Sequence, residues 1–159
     1  MTWYLFLKFV HIIGAAVLLG TGAGIAFFML MAHLRRDVAV IAGVARIVVI
    51  ADFVFTATAV VLQPVTGLLL ANIVGYPILD GWIALSIILY IVTGAFWLPV
   101  VWMQMRMRYL ATEAVSKGEP LPGEYHRLFR AWFAFGFPAF AAVIGIYWLM
   151  TAKPPVSLW

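Results

Sequence analysis

The groups in this sequence able to do chemistry are three imidazoles, one carboxylate deep in an apolar run, and a few hydroxyl and amide side chains around them. His11 lies near the start of a charge-free stretch. A neutral imidazole there can act as an axial ligand to a haem iron or as a proton carrier, and the plain alternative is a hydrogen-bonded residue between helices. Lys8, three residues earlier on the same helical face, could meet a cofactor's carboxylates or simply snorkel to the surface.

Asp52 is the one carboxylate well inside an apolar run, where a charge is costly. Asp52, Thr56, Gln63 and Thr66 recur at steps of three, four and seven residues, so they form a polar stripe facing into a helical bundle. The stripe is either a proton path, with Asp52 and Thr56 at its start, or glue between helices. His33 and His126 close two other apolar runs and could approach one another. They can hold a second cofactor or simply be solvated among Arg35, Arg36, Arg127 and Arg130. His33 is no partner for His11, because 22 residues of helix separate them by roughly 33 Å.

The elements that must position these groups are set by composition. Of 159 residues, 66% are apolar and 10% charged, and the formal net charge is +4. A water-soluble domain needs about 25% charged residues to cover itself, so lipid must cover the rest. Stretches free of Asp, Glu, Lys and Arg run over Phe9–Leu34, Phe53–Leu79, Gly81–Met105 and Ala131–Ala152. Each reaches the ~20 residues that cross a bilayer, and uniformly apolar runs of this length predict helices and not barrel strands. No basic region precedes the first run and no small-residue cleavage pattern follows it, so it is expected to stay as a helix.

Eight of the ten basic residues fall between runs one and two or between three and four. The positive-inside rule then places both connections in the cytoplasm and both termini outside, in the periplasm. Trp3, Tyr4, Trp82, Trp148 and Trp159 fall at the outer boundary, where amphipathic rings collect. Positive charge used in this way marks topology and lipid contact, which argues against nucleic-acid binding. The absence of cysteine excludes disulfides, thiolate metal sites and a Cys nucleophile, and no phosphate-binding loop or nucleophile triad is present. Gly118, Pro120, Pro122 and Gly123 mark a turn between two helix extensions in the connector at 106–129. Gly20 and Gly24 form a GxxxG step, read as packing. Pro64, Pro99 and Pro138 are expected to kink their helices and free carbonyls near Gln63 and Phe137. A rise of ~1.5 Å per residue puts His11, Gln63, Ser86 and Tyr147 at one height, roughly 7–10 Å outward of the bilayer centre.

The stretches KFVHIIG from Lys8, ADFVFT from Ala51, QPVTG from Gln63, WLPVV from Trp97 and GFP from Gly136 together resemble a bacterial family of uncharacterised integral membrane proteins, over the whole chain. More distantly, the chain is similar to four-helix membrane proteins related to the haem-pathway protoporphyrinogen oxidase and to copper-resistance D proteins. The shared features are Lys8 and His11 at the start, His33 closing helix one, Pro138 in helix four and Lys153 with Pro154 at the end. In the oxidase family the helix-one His is taken to bind haem b, so the resemblance implies that role for His11. That family also carries a functional Lys early in helix three, where this chain has Ser86 after Gly81 and Trp82. The resemblance therefore implies the cofactor without the oxidase reaction.

The expectation is one all-α integral membrane four-helix bundle over residues 1–159, with helices at about 3–34, 45–71, 78–105 and 130–152. It binds one b-type haem through His11, with Lys8, Gln63, Ser86 and Tyr147 around it and Asp52 linking proton movement, and serves electron transfer or a membrane redox reaction in the bacterial inner membrane. Met29, Met31 and Met150 lie too far from His11 along the helices to be secure sixth ligands. The lipid bilayer is the expected partner, with room for a homo-oligomer or a redox partner. The rival expectation is a non-enzymatic membrane subunit or small carrier without haem.

Overall fold

A computed structural model describes residues 2–155, so Trp159 lies outside the described residues. The chain forms α1 (Thr2–Arg35), α2 (Val38–Ala51), a π-turn (Asp52–Thr56), α3 (Ala57–Val74), α4 (Gly81–Lys117) and α5 (Gly123–Ala152). With α2, the π-turn and α3 running on as one rod, four helices are long and apolar enough to cross a membrane, and no strand occurs among the described residues. The architecture is the all-α four-helix membrane bundle that the apolar runs require. The rods are longer than those runs: α2 begins seven residues before position 45, and α4 continues to Lys117 as one half of the connector.

Local chemistry stops each rod. Arg36, with φ of 58°, turns the chain out of α1, and the Asp37 carboxylate then caps α2 by accepting from the Ala39 and Val40 amides at 2.8 and 3.1 Å. Gly75 and Gly118 end α3 and α4 with φ of 82° and 65°, a left-handed conformation that a Cβ would penalise. Beside the second of these turns, Arg106 Nε and Nη2 donate to both Glu124 oxygens at 2.7 and 3.1 Å, tying α4 to α5. The end of the bundle holding the Arg36 and Gly118 turns carries Arg35, Arg36, Arg127 and Arg130 and is called here the basic end; α1 starts, and α3 and α5 stop, at the far end.

The rod built of α2 and α3 changes partner along its length. α2 packs chiefly on α4, α3 packs on α1, and α4 lies along α5 throughout. Two apolar cores result. Met29, Ile41, Met107, Tyr125 and Trp132 belong to a large core toward the basic end, and Ala71, Trp82, Ile83 and Leu149 form a small one at the far end. Trp82 stands at the far end with its ring turned inward: it is buried in the far core, its indole donates to Asp80 at 3.0 Å, and Lys153 Nζ sits 5.5 Å from its ring. Trp3 and Trp148 are exposed.

Candidate functional site

α1 and α3 are clasped around His11. The ring Nδ1 lies 2.8 Å from Thr66 Oγ1, and that hydroxyl also lies 2.7 Å from the carbonyl of Leu62, one turn back on its own helix. A threonine hydroxyl has one proton, and the intrahelical carbonyl takes it. The hydroxyl then accepts from the ring, which assigns the hydrogen to Nδ1 and leaves Nε2 as a lone pair without a hydrogen-bond partner among the described residues.

Two glycines make this approach close. A Cβ on Gly67 would come within 3.2 Å of His11 Cε1, so the ring edge rests on bare α3 backbone. A Cβ on Gly14 would overlap the Gln63 amide, whose Nε2 donates to the His11 carbonyl at 2.8 Å. Sequence height placed Gln63 and His11 together, and they do meet, but through the backbone. The side chain that holds the ring is Thr66, and the glycine at its edge is Gly67.

The other residues of the expected layer stand apart from the clasp. Ser86 is buried and donates to the carbonyl of Trp82 in its own helix at 2.7 Å, so its hydroxyl is spent locally. Tyr147 has a buried hydroxyl with no partner among the described residues. Lys8 is exposed, with Nζ 5.9 Å from the centre of the Tyr4 ring. Met29 is packed in the core toward the basic end and is not available to His11.

Pro64 acts on α3 in a way that differs from the expected opening near Gln63. The helix continues through it, and the carbonyl deprived of a partner is that of Val60, four residues earlier. The Tyr90 hydroxyl, from α4, donates to that carbonyl.

A second constellation surrounds Asp52, which is 4% exposed and opens the π-turn. Its Oδ1 accepts from Trp97 Nε1 at 3.3 Å. With the Gln104 amide turned so that both its ends are satisfied, its nitrogen donates to Asp52 Oδ2 at 3.1 Å and its oxygen accepts from Trp132 Nε1, also at 3.1 Å. Two N–H groups of α4 thus converge on one carboxylate, the Gln104 amide being held in turn by Trp132 of α5, and no cation is paired with it among the described residues. Thr56, one turn on, has a buried hydroxyl without a hydrogen-bond partner among the described residues. Such a site can hold the carboxylate as an anion through its donors, and can receive a proton with Thr56 Oγ1 as the waiting acceptor. Trp97, Gln104 and Trp132 were readable only indirectly: Trp97 and Gln104 stand seven residues apart on one face of α4, and a buried indole N–H needs an acceptor.

His33 and His126 do approach, with ring centroids 5.8 Å apart. His33 is stacked on Phe129 at 3.7 Å, His126 is exposed, and no cluster of three His, Cys, Asp or Glu able to hold a metal occurs among the described residues.

Compared with known proteins, residues 5–154 match the model of a family described as "Predicted integral membrane protein (DUF2269)". No curated protein and no solved structure matches the chain.

Proposed function

We propose, from the premise that the chain belongs to this family of predicted integral membrane proteins, that it binds one b-type haem through His11 and serves electron transfer or a membrane redox reaction. The observation that carries the reading is the His11–Thr66 hydrogen bond. Metal-ligating histidines almost always donate their second ring N–H to a fixed acceptor, and here Thr66 holds Nδ1–H while Nε2 is left free. The residues present fit the group in one further respect: Gly67 leaves bare backbone against the imidazole edge, so no side chain of α3 covers the ring there. The similarity of Lys8 and His11 to the start of the haem-pathway oxidase points the same way.

Within this reading Thr66 sets the tautomer and ring plane, Gly67 fixes the ring edge, and Gln63 locks the α1 backbone beneath it. Lys8 stands free at the surface one turn away, where it can meet propionates. The haem, when bound, supplies a one-electron couple. Asp52 and Thr56 hold a proton deeper in the bundle, taken up from the basic end. That end faces the cytoplasm of a bacterial cell, with both termini in the periplasm, because cytoplasmic loops are the ones enriched in Arg and Lys.

The same clasp favours one other reading, a haem-free membrane subunit in which His11 only pins α1 to α3. Absorbance separates the two. Protein purified in mild detergent from haem-replete cells should show a Soret band and a reduced α band, both lost in His11→Ala. A folded, colourless preparation would leave the pin.

A further inference from the structure

A groove of about 620 Å³ runs along the outside of the bundle between α1 and α2. Gly20 and Gly24 form its floor on α1, Val44 and Ala51 its wall on α2, and Phe55 closes it at the middle of the molecule. Its lining is apolar except for Thr21 and, at the other extremity, Arg35.

The dimensions select an occupant. From Gly20 to Arg35 the helix rises about 22 Å. Half of a ~30 Å hydrocarbon core plus one headgroup layer comes to roughly the same length, so the groove runs from the bilayer centre to the headgroups of a single leaflet. Its one charge stands at headgroup depth. That charge is uncompensated: the ion pairs among the described residues are Arg106–Glu124 and Lys117–Glu113, and the Asp37 carboxylate is engaged by the Ala39 and Val40 amides.

We infer that this groove is a binding site for an anionic phospholipid of the leaflet at the basic end, with an acyl chain along Gly20–Gly24 and the phosphate at Arg35. A second copy of the chain fits less well. A helix about 10 Å across is wider than an acyl chain, and two parallel copies meeting here at equal depth would bring Arg35 against Arg35. The inference is independent of haem.

Native mass spectrometry of the detergent-purified chain, titrated with phosphatidylglycerol and with phosphatidylcholine of the same acyl chains, tests it. Wild type should retain phosphatidylglycerol about fivefold better, the factor expected for one basic side chain at the membrane surface. Arg35→Gln should bring the two lipids to parity, and Arg35→Lys should keep the preference. Arg130→Gln, an exposed guanidinium outside the groove, should leave it unchanged. Gly20→Leu should weaken both lipids, since its new side chain enters open space. Equal retention by wild type overturns the assignment. So does a preference that survives Arg35→Gln, or one that falls equally in Arg130→Gln and so reflects surface charge alone. A dimer peak abolished by Gly20→Leu while lipid retention is unchanged would give the groove to a second copy.

Discussion

Tyr90 on α4 donates its hydroxyl to the carbonyl of Val60 on α3, the acceptor that Pro64 cannot serve because it has no N–H. α3 and α4 are consecutive, yet they do not pack closely along their length, so this bond is a long-armed strut between them. Tyr90→Phe should leave a carbonyl unpaired in hydrocarbon and destabilise the protein by about 1–3 kcal/mol. Pro64→Ala restores the intrahelical donor, so Tyr90→Phe should become nearly neutral in that background. Thermal unfolding of the four proteins in detergent gives the coupling, and strict additivity would refute the strut.

His11 should respond to its holders before it is itself changed. Thr66→Val removes the acceptor for Nδ1–H at nearly constant volume, and loss of a ligand's hydrogen-bonded partner weakens metal affinity about 10–100-fold. Gly67→Ala places a methyl 3.2 Å from Cε1 and should displace the ring. Both variants should lower haem occupancy, read as the ratio of Soret to protein absorbance. Full occupancy in both would remove the clasp from the site.

Asp52→Asn keeps the shape but loses one of the aligned acceptors, at about 1 kcal/mol, whereas Asp52→Leu strands the Trp97 and Gln104 donors and should cost more. If reduction of the haem draws a proton onto Asp52, the wild-type midpoint potential falls as pH rises. Asp52→Asn should flatten that dependence. An unchanged slope in a redox titration would dissociate Asp52 from the couple.

A reporter fused after Lys117, in the connector at the basic end, should read as cytoplasmic in a bacterial host. An external signal reverses the orientation assigned to both termini.

The four rods were legible because an unbroken apolar run of membrane length has one self-satisfying backbone conformation. The connector's helical extensions were legible from Gly118 and Pro122 for a similar reason: those residues break helices and their neighbours do not. The π-turn was invisible. One extra residue within a run such as Phe53, Val54 and Phe55 alters no polarity pattern, since every position is apolar. The His11 site was half legible: height along the helices put Gln63 near it, but height carries no rotation, and rotation decides that Thr66 takes the ring and that Ser86 turns back on its own helix. The partners of Asp52 come from α4, steadied by Trp132 of α5, and only the tertiary fold could supply them.

The extra residue of the π-turn is also a phase setting. Each residue of α-helix turns the azimuth by about 100°, so deleting Phe53 to regularise the rod would swing Thr66 and Gly67 away from α1 while leaving Asp52 where it is. A single-codon deletion in a greasy, otherwise permissive stretch would thus dismantle a contact some four turns distant. The two polar centres of the molecule are kept in angular register by a wrinkle in the backbone, and by no side chain of their own.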